Sequence, residues 1–345
     1  MSSALSKSRI TLRDVARRLN VSHTTISRAL RDDLQVSKAL REQVQKTAKE
    51  MGYKPDPMLS ALAHYRRSKI AKPIGAELAW INCWPNPEEL RALKEFNLYW
   101  KGAFEEAEQC GFRLEEFIVN KNLSLSRLRK ILRARNIRGI LLPPREDAGP
   151  DYRAFQWDDF CVVRFGYSIS FPHAHLVSSD QLTDGLIAFE NIWKNGYRRI
   201  GLATSAKVHT RFSAGFLFSQ MKWSPDQRLP MLILTQDNSE EDQRLLASWL
   251  KKNKPDAILT DVRELRHLLK KVGYKVPKDI GLAALSVLDG NADAGIDQNS
   301  EEIGKVAIQL LISLINHNER GVPKICREVL VEGQWVNGTT LPSKA

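Results

Sequence analysis

Residues 10–30, ITLRDVARRLNVSHTTISRAL, read as two short helices joined by a tight turn. Thr11 stands where an N-cap belongs, and Asp14 completes a capping-box-like pair with it. Val15, Ala16 and Leu19 then share one face. Asn20 falls at the turn, where a left-handed residue is needed and asparagine is tolerated better than most non-glycine residues. Ser22 is placed to cap a second helix whose inner face is Ile26, Ala29 and Leu30. His23, Thr24, Thr25, Ser27 and Arg28 are left pointing outward. Short hydroxyls, an imidazole and a guanidinium are the groups that phosphate and base-edge contacts in a major groove require. The bland alternative is an ordinary solvated two-helix surface.

The charge distribution favours the first alternative. The chain of 345 residues has a net charge of +12. Residues 1–72 carry 16 Lys or Arg against 6 Asp or Glu, so nearly all of the excess sits in about a fifth of the chain. That asymmetry is the electrostatic footprint of a polyanionic partner. A membrane surface fits less well, because no basic helix here has a large apolar face. No apolar run approaches a membrane span and the N-terminus lacks the apolar core of a signal peptide, so the expectation is a cytoplasmic protein. Cys83, Cys110, Cys161 and Cys326 are scattered without metal or redox spacing, and the seven histidines form no paired pattern. Neither a metal nor a cofactor is expected.

Beyond the first two helices, Ser37 is placed to cap a third, with Val44, Ala48 and Met51 inward and Gly52 as the stop. Asp56-Pro57 looks like an N-cap followed by proline at the first helical position. It opens a two-turn helix over Pro57–Tyr65, followed by a basic linker holding Arg66, Arg67, Lys69 and Lys72. From residue 74 the pattern changes to alternating strands and helices: IGAELAWI, a helix over Trp100–Gly111, FRLEEFIV, a helix over Ser126–Ala134, then IRGILLP and Cys161–Phe165. A helix opened by Asp180 and Gly185 runs to Gly196, and strands follow near Ile200, Leu229–Leu234, Asp256–Thr260 and Ile280–Leu285. Alternation at this spacing argues for doubly wound α/β layers built on parallel sheets.

Asp14-Val15-Ala16, Val21-Ser22, Thr25-Ile26-Ser27-Arg28, Val36-Ser37 and Tyr53-Pro55 together resemble the signature of the lactose-repressor/galactose-repressor family of bacterial transcription regulators. GYRRIGL (196–202), VPKDIGLAAL (276–285) and Gln298 placed before Gly304 extend the resemblance toward the C-terminus. The resemblance implies a multidomain chain: an all-α helix-turn-helix headpiece and an α/β core of two doubly wound, periplasmic-binding-protein-like subdomains with a ligand cleft between them. On this sequence the boundaries fall at 1–55 for the headpiece, 56–72 for hinge helix and basic linker, and 73–345 for an effector-binding and dimerisation core. It also implies a homodimer on a pseudo-palindromic operator in double-stranded DNA, most simply as a repressor, controlled by a small polar, sugar-like effector.

Candidate roles follow. Arg28 is the expected base reader, because a guanidinium grips guanine O6 and N7 with two bonds; a phosphate contact or surface ion pair is the alternative. His23 and Thr24, at the start of the second helix, would set operator preference. Thr11, Ser22, Thr25, Ser27, Ser37 and Tyr53 complete the expected DNA-facing set, although Ser22, Thr25, Ser27 and Ser37 can equally cap or be solvated. Leu62 matches the leucine that the family wedges between base pairs in the minor groove. In the core, Trp84 follows the first strand, where it can stack on a sugar ring or simply pack. Asp180 resembles a frequent family acid but is also a natural N-cap, and Arg211 and Asp261 are expected to face the cleft. The chain departs from the family where Phe212 takes the position of an effector-contacting arginine, with Arg211 one residue early, and where Ser286 replaces an aspartate. An effector-blind regulator of the same fold is therefore an alternative. An enzyme or a cytosolic solute-binding protein is a more distant one, since no nucleophile elbow, Walker loop or dinucleotide fingerprint occurs.

Overall fold

The computed structural model describes residues 10–30, 35–53, 76–145, 151–205, 210–223, 225–235 and 239–344. The expected hinge helix Pro57–Tyr65, with Leu62 and the basic linker, lies outside the described residues.

The N-terminal unit contains α1 (Leu12–Leu19), α2 (His23–Leu30) and α3 (Lys38–Glu50). Local chemistry fixes each boundary. The backbone N–H and the hydroxyl of Thr11 both donate to Asp14 Oδ2, at 2.9 and 2.7 Å. Asn20 is left-handed at φ 52°, and the N–H groups of Asn20 and Val21 close onto Arg17 O and Ala16 O. That double closure satisfies carbonyls which a helix end otherwise leaves open. Ser22 Oγ caps α2 by accepting from Thr25 N at 3.0 Å, and Ser37 Oγ caps α3 from Leu40 N at 3.4 Å. Gly52, at φ 71°, ends α3 in the same way as Asn20 ends α1, with Tyr53 N donating to Ala48 O. Val15, Ile26, Ala29 and Val44 are fully buried, with Ala16, Val36 and Ala48 beside them.

Among the described residues, the core is two six-stranded sheets. The first lobe builds β1 (Ala76–Asn82), α4 (Pro87–Ala92), α5 (Lys94–Gln109), β2 (Phe112–Ile118), α6 (Leu125–Ala134), β3 (Gly139–Leu142), β4 (Cys161–Phe165) and β5 (His175–Ser179). The chain then enters the second lobe through α7 (Gln181–Lys194) and continues as β6 (Ile200–Ser205), α8 (Thr210–Gln220), β7 (Leu232–Leu234), α9 (Glu240–Asn253), β8 (Ala257–Thr260), α10 (Leu265–Lys271), β9 (Gly281–Ala284) and β10 (Gly295–Asp297). It returns through α11 (Ser300–His317) and β11 (Glu328–Val331), and crosses once more to β12 (Gln334–Val336).

Sheet order is β11-β5-β4-β3-β1-β2 in the first lobe, every pair parallel. In the second it is β12-β10-β9-β8-β6-β7, parallel except for β12 against β10. Both faces of each sheet are covered, which is why β3, β4 and β9 are buried at every residue. Side-chain alternation splits β1 between two cores: Leu78 and Trp80 join one, Ala79 and Ile81 the other. Against the first lobe, α5 and α11 cross so closely that a Cβ at Gly102 would sit 1.9 Å from Glu301 O.

Three crossings join the lobes, after β5, after β10 and between β11 and β12. They are tied to one another. Asp180 N donates to Val331 O, and Asn299 Nδ2 to Glu332 O, both at 2.8 Å. Gly333 N donates to Asp184 Oδ1 at 2.9 Å.

Candidate functional site

On the N-terminal unit, Ser22, His23, Thr24 and Arg28 are exposed along one side of α2. Thr25 and Ser27, expected to point outward, are half-buried. For Thr25 the cause is local: Ser22 Oγ lies 2.8 Å from Thr25 Oγ1 and caps the helix by accepting from Thr25 N, while Thr24 Oγ1, at 3.3 Å, stays on the exposed side. Arg28 Nη1 donates to Gln35 Oε1 at 3.1 Å, so the guanidinium is held by the loop before α3 through a neutral partner. Thr11 is occupied as a cap, and its hydroxyl, then its backbone N–H, hold the Asp14 carboxyl below the usual carboxylate range. Ser37 likewise caps α3, and Tyr53 packs half-buried against the helical core.

In the core, a cavity of about 530 Å³ opens between the lobes. Trp84, Phe96, Tyr99 and Tyr167 line it from the first lobe, Phe212, Asp261 and Ser286 from the second, and Gln181 and Gln298 from the crossings. Glu95, Arg145 and Arg263 add charge to its wall. The strand ends explain the placement: in parallel sheets the C-terminal ends of strands point into the crevice. Trp84 follows β1, where its Nε1 donates to Pro144 O at 2.8 Å and its backbone N to the fully buried Asn82 at 3.0 Å. With its polar edge tied off, the indole presents an apolar face at 67° to Phe96. Tyr99 stacks on Phe165 and donates to Glu95 Oε1 at 2.7 Å. Asp261 Oδ1 accepts from Ser205 N at 3.2 Å. Ser286 Oγ is buried and makes no hydrogen bond among the described residues.

Trp84 and Asp261 thus line the cavity, whereas Asp180 and Arg211 are not among its lining residues. Asp180 caps α7, accepting from Thr183 N at 3.2 Å and Thr183 Oγ1 at 2.7 Å, which uses both carboxyl oxygens on its own helix. Arg211 is exposed and lies 3.4 Å from the centroid of the Tyr167 ring, a cation–π contact between lobes. Tyr167 is half-buried, and burial, with the nearby Glu328, raises its hydroxyl to about 12. The residues missed from sequence are Phe96, Tyr99, Tyr167, Gln181, Ser286 as a wall residue, and Gln298 as a hinge amide. Only the last two stood at positions already singled out.

Among the described residues, no group of His, Cys, Asp and Glu is arranged to hold a metal, and no helix is long and apolar enough to cross a membrane. Burial raises the thiols of Cys83 and Cys161 to about 11, which keeps them protonated and unreactive.

Residues 11–56 match the profile "Bacterial regulatory proteins, lacI family", and residues 189–340 match "Periplasmic binding protein-like domain". The chain is 23% identical over 339 residues to the HTH-type transcriptional regulator MalR of Streptococcus pneumoniae, covering 93% of this chain and 97% of that one. Its first part is 50% identical over 48 residues to the HTH-type transcriptional repressor CytR of Escherichia coli, 14% of each chain. Among solved structures, the lac repressor dimer bound to operator and the anti-inducer ONPF superposes with a TM-score of 0.54 at 18% identity, covering 97% of this chain and 100% of that one. The complex of the transcriptional regulator CelR with cellobiose gives 0.55 at 19%, covering 96% and 100%. A lacI-type DNA-binding domain joined to a periplasmic-binding-protein-like core defines a family of regulators rather than enzymes. The chain belongs to the LacI/GalR family of DNA-binding transcriptional regulators.

Proposed function

We propose that this chain is a repressor that binds a pseudo-palindromic operator as a homodimer and is modulated by a small polar, sugar-like effector held between its lobes. The domain plan is 1–55 for DNA reading, 56–72 for hinge and linker, and 73–345 for effector binding and dimerisation. On DNA, Arg28 leaves Gln35 for a guanine edge, a neutral hydrogen bond exchanged for a bidentate one. His23 and Thr24 set preference at neighbouring base pairs. Ser22, Thr25, Ser27, Ser37, Thr11 and Tyr53 act through the backbone, by capping and by phosphate contact, and Leu62 is the minor-groove wedge.

The observation that carries the effector reading is the make-up of the inter-lobe cavity. Its volume of about 530 Å³ lies within the range of small-molecule sites. Trp84, Phe96 and Tyr99 give its wall flat apolar faces, and Asp261, Ser286, Gln181 and Gln298 add polar groups to it. A hydroxyl-rich neutral ligand satisfies both kinds of wall, since each hydroxyl donates and accepts. Related folds were solved with cellobiose and with D-xylulofuranose. A mobility-shift assay on the protein's own promoter region, with a panel of sugars, sugar phosphates and nucleosides, tests the reading; a ligand that both stabilises the protein and changes DNA affinity supports it. An effector-blind regulator is the second reading, favoured by Arg211 clasping Tyr167 across the lobes. A panel with no stabilising compound and unchanged DNA affinity would select it.

A further inference from the structure

The crossings contain a carboxyl group that the DNA-reading and effector roles leave unused. Asp184, on the first turn of α7, is fully buried. Its Oδ1 accepts from Gly333 N at 2.9 Å, at the third crossing, and its Oδ2 is buried without a hydrogen bond among the described residues. The approach depends on glycine at position 333, because a Cβ there would lie 2.4 Å from Oδ1. The carboxyl therefore sits between the chain's first passage from lobe to lobe and its last.

We propose that Asp184 is a proton-binding regulatory site in the hinge: the protonated carboxyl holds the lobes in the arrangement described here, and ionisation favours an arrangement in which water reaches it. An ionised carboxylate with one unsolvated oxygen is costly in a dry site, whereas the neutral acid is not. The charges around it point the same way. Asp180 on the same helix and Glu332 beside Gly333 are both acidic. Asp297, whose carbonyl faces Gly333, has its carboxylate bonded to Asn299 N. Arg211, on the packed helix α8, has its guanidinium over Tyr167. Burial first, with Asp180 and Glu332 adding to it against the Gly333 hydrogen bond, raises the carboxyl to about 7.

The sign follows from linkage. A hydrated Asp184 ionises in the ordinary carboxylate range, while the buried one holds its proton up to about 7. Between those values the hydrated arrangement gains up to about tenfold in population per pH unit, and above the upper value the gain levels off. This effect does not depend on which molecule occupies the cleft.

Hydrogen exchange of the full-length protein from pH 5 to 8, corrected for intrinsic rates, reads the opening at the Gly333 amide. Wild type should lose protection as pH rises toward 7, by up to about tenfold per unit, and then level off. Asp184→Asn, which cannot ionise, should show a flat profile over the same range. Direct titration of the Asp184 carboxyl by carbon NMR should give a midpoint near 7. A midpoint in the ordinary carboxylate range, or protection in wild type that is flat from pH 5 to 7, overturns the proposal. So does an identical slope in Asp184→Asn. Should that variant not fold, the wild-type titration and exchange profile still decide.

Discussion

The headpiece and the cleft solve opposite problems. In the headpiece, one eight-residue helix and its cap present Ser22, His23, Thr24 and Arg28 through neighbours close in sequence. The cleft draws Trp84, Phe212, Ser286 and Gln298 together from strands and crossings spread along two lobes. Chemistry held on a single helix tolerates change in the rest of the fold, so long as that helix is capped and packed. Chemistry assembled across lobes depends on every crossing that sets their spacing. Changes in the headpiece should therefore act on DNA alone, and changes in the hinge on both the core and its ligand.

The largest expected effect tests that independence. Ile26→Ala removes a fully buried side chain from a small core and should cost about 2–5 kcal/mol, enough to unfold the headpiece. Calorimetry should show the core transition unmoved while DNA binding is lost; a core transition lowered in step would mean the two regions fold as one. Next comes the hinge carboxyl. Since the folded value is raised, the stability tied to Asp184 is fully present below the ordinary carboxylate range and is lost as pH climbs to about 7. The loss is at most about 4 kcal/mol, and Asp184→Asn should not show it in thermal melts across that range.

Arg28→Ala should weaken specific binding by about 1–3 kcal/mol and relax preference at one base pair of each half-site. Arg66→Ala in the linker should instead weaken cognate and scrambled DNA alike and lower the salt slope. Identical patterns for the two would dissolve the division between reading and anchoring. The smallest effect belongs to Arg211→Ala. Loss of an exposed cation–π contact, about 0.5–1 kcal/mol, should loosen the lobes slightly and speed ligand entry, read by stopped-flow tryptophan fluorescence.

The same contrast governs what the sequence discloses. Thr11, Asn20, Ser22, Ser37 and Gly52 all stand where caps and stops were expected, because capping is decided within a few residues. Thr25 and Ser27 differ from expectation only in exposure, Thr25 because its hydroxyl is held by that of Ser22. In the core, strands made mostly of apolar letters, such as GILL and CVVRF, were legible. Strand β5, HLVSS, was not, because its His and Ser residues are buried polar groups: His175 Nδ1 accepts from Arg327 N at 3.0 Å, beside β11. Helix α4 and the start of α5, Lys94 to Tyr99, were also missed, hidden behind the Trp84-Pro85 and Pro87 loop signal. Trp84 and Asp261 could be placed because they follow strand ends. Asp180 was legible as an N-cap and caps α7 through Thr183, whereas Arg211 could not be placed, since stacking on Tyr167 is a contact that only the folded lobes create.

In the proposed mechanism, a ligand in the cleft sets operator binding by the headpieces. The most direct measurement is footprinting of the full-length protein on its promoter DNA, with and without a ligand found by thermal shift, for wild type and Trp84→Ala. Two symmetric protected half-sites are expected, with a ligand-dependent change in occupancy for wild type and unchanged protection without ligand response for Trp84→Ala. Protection that is asymmetric or sequence-independent, or a ligand response that survives Trp84→Ala undiminished, would contradict that mechanism.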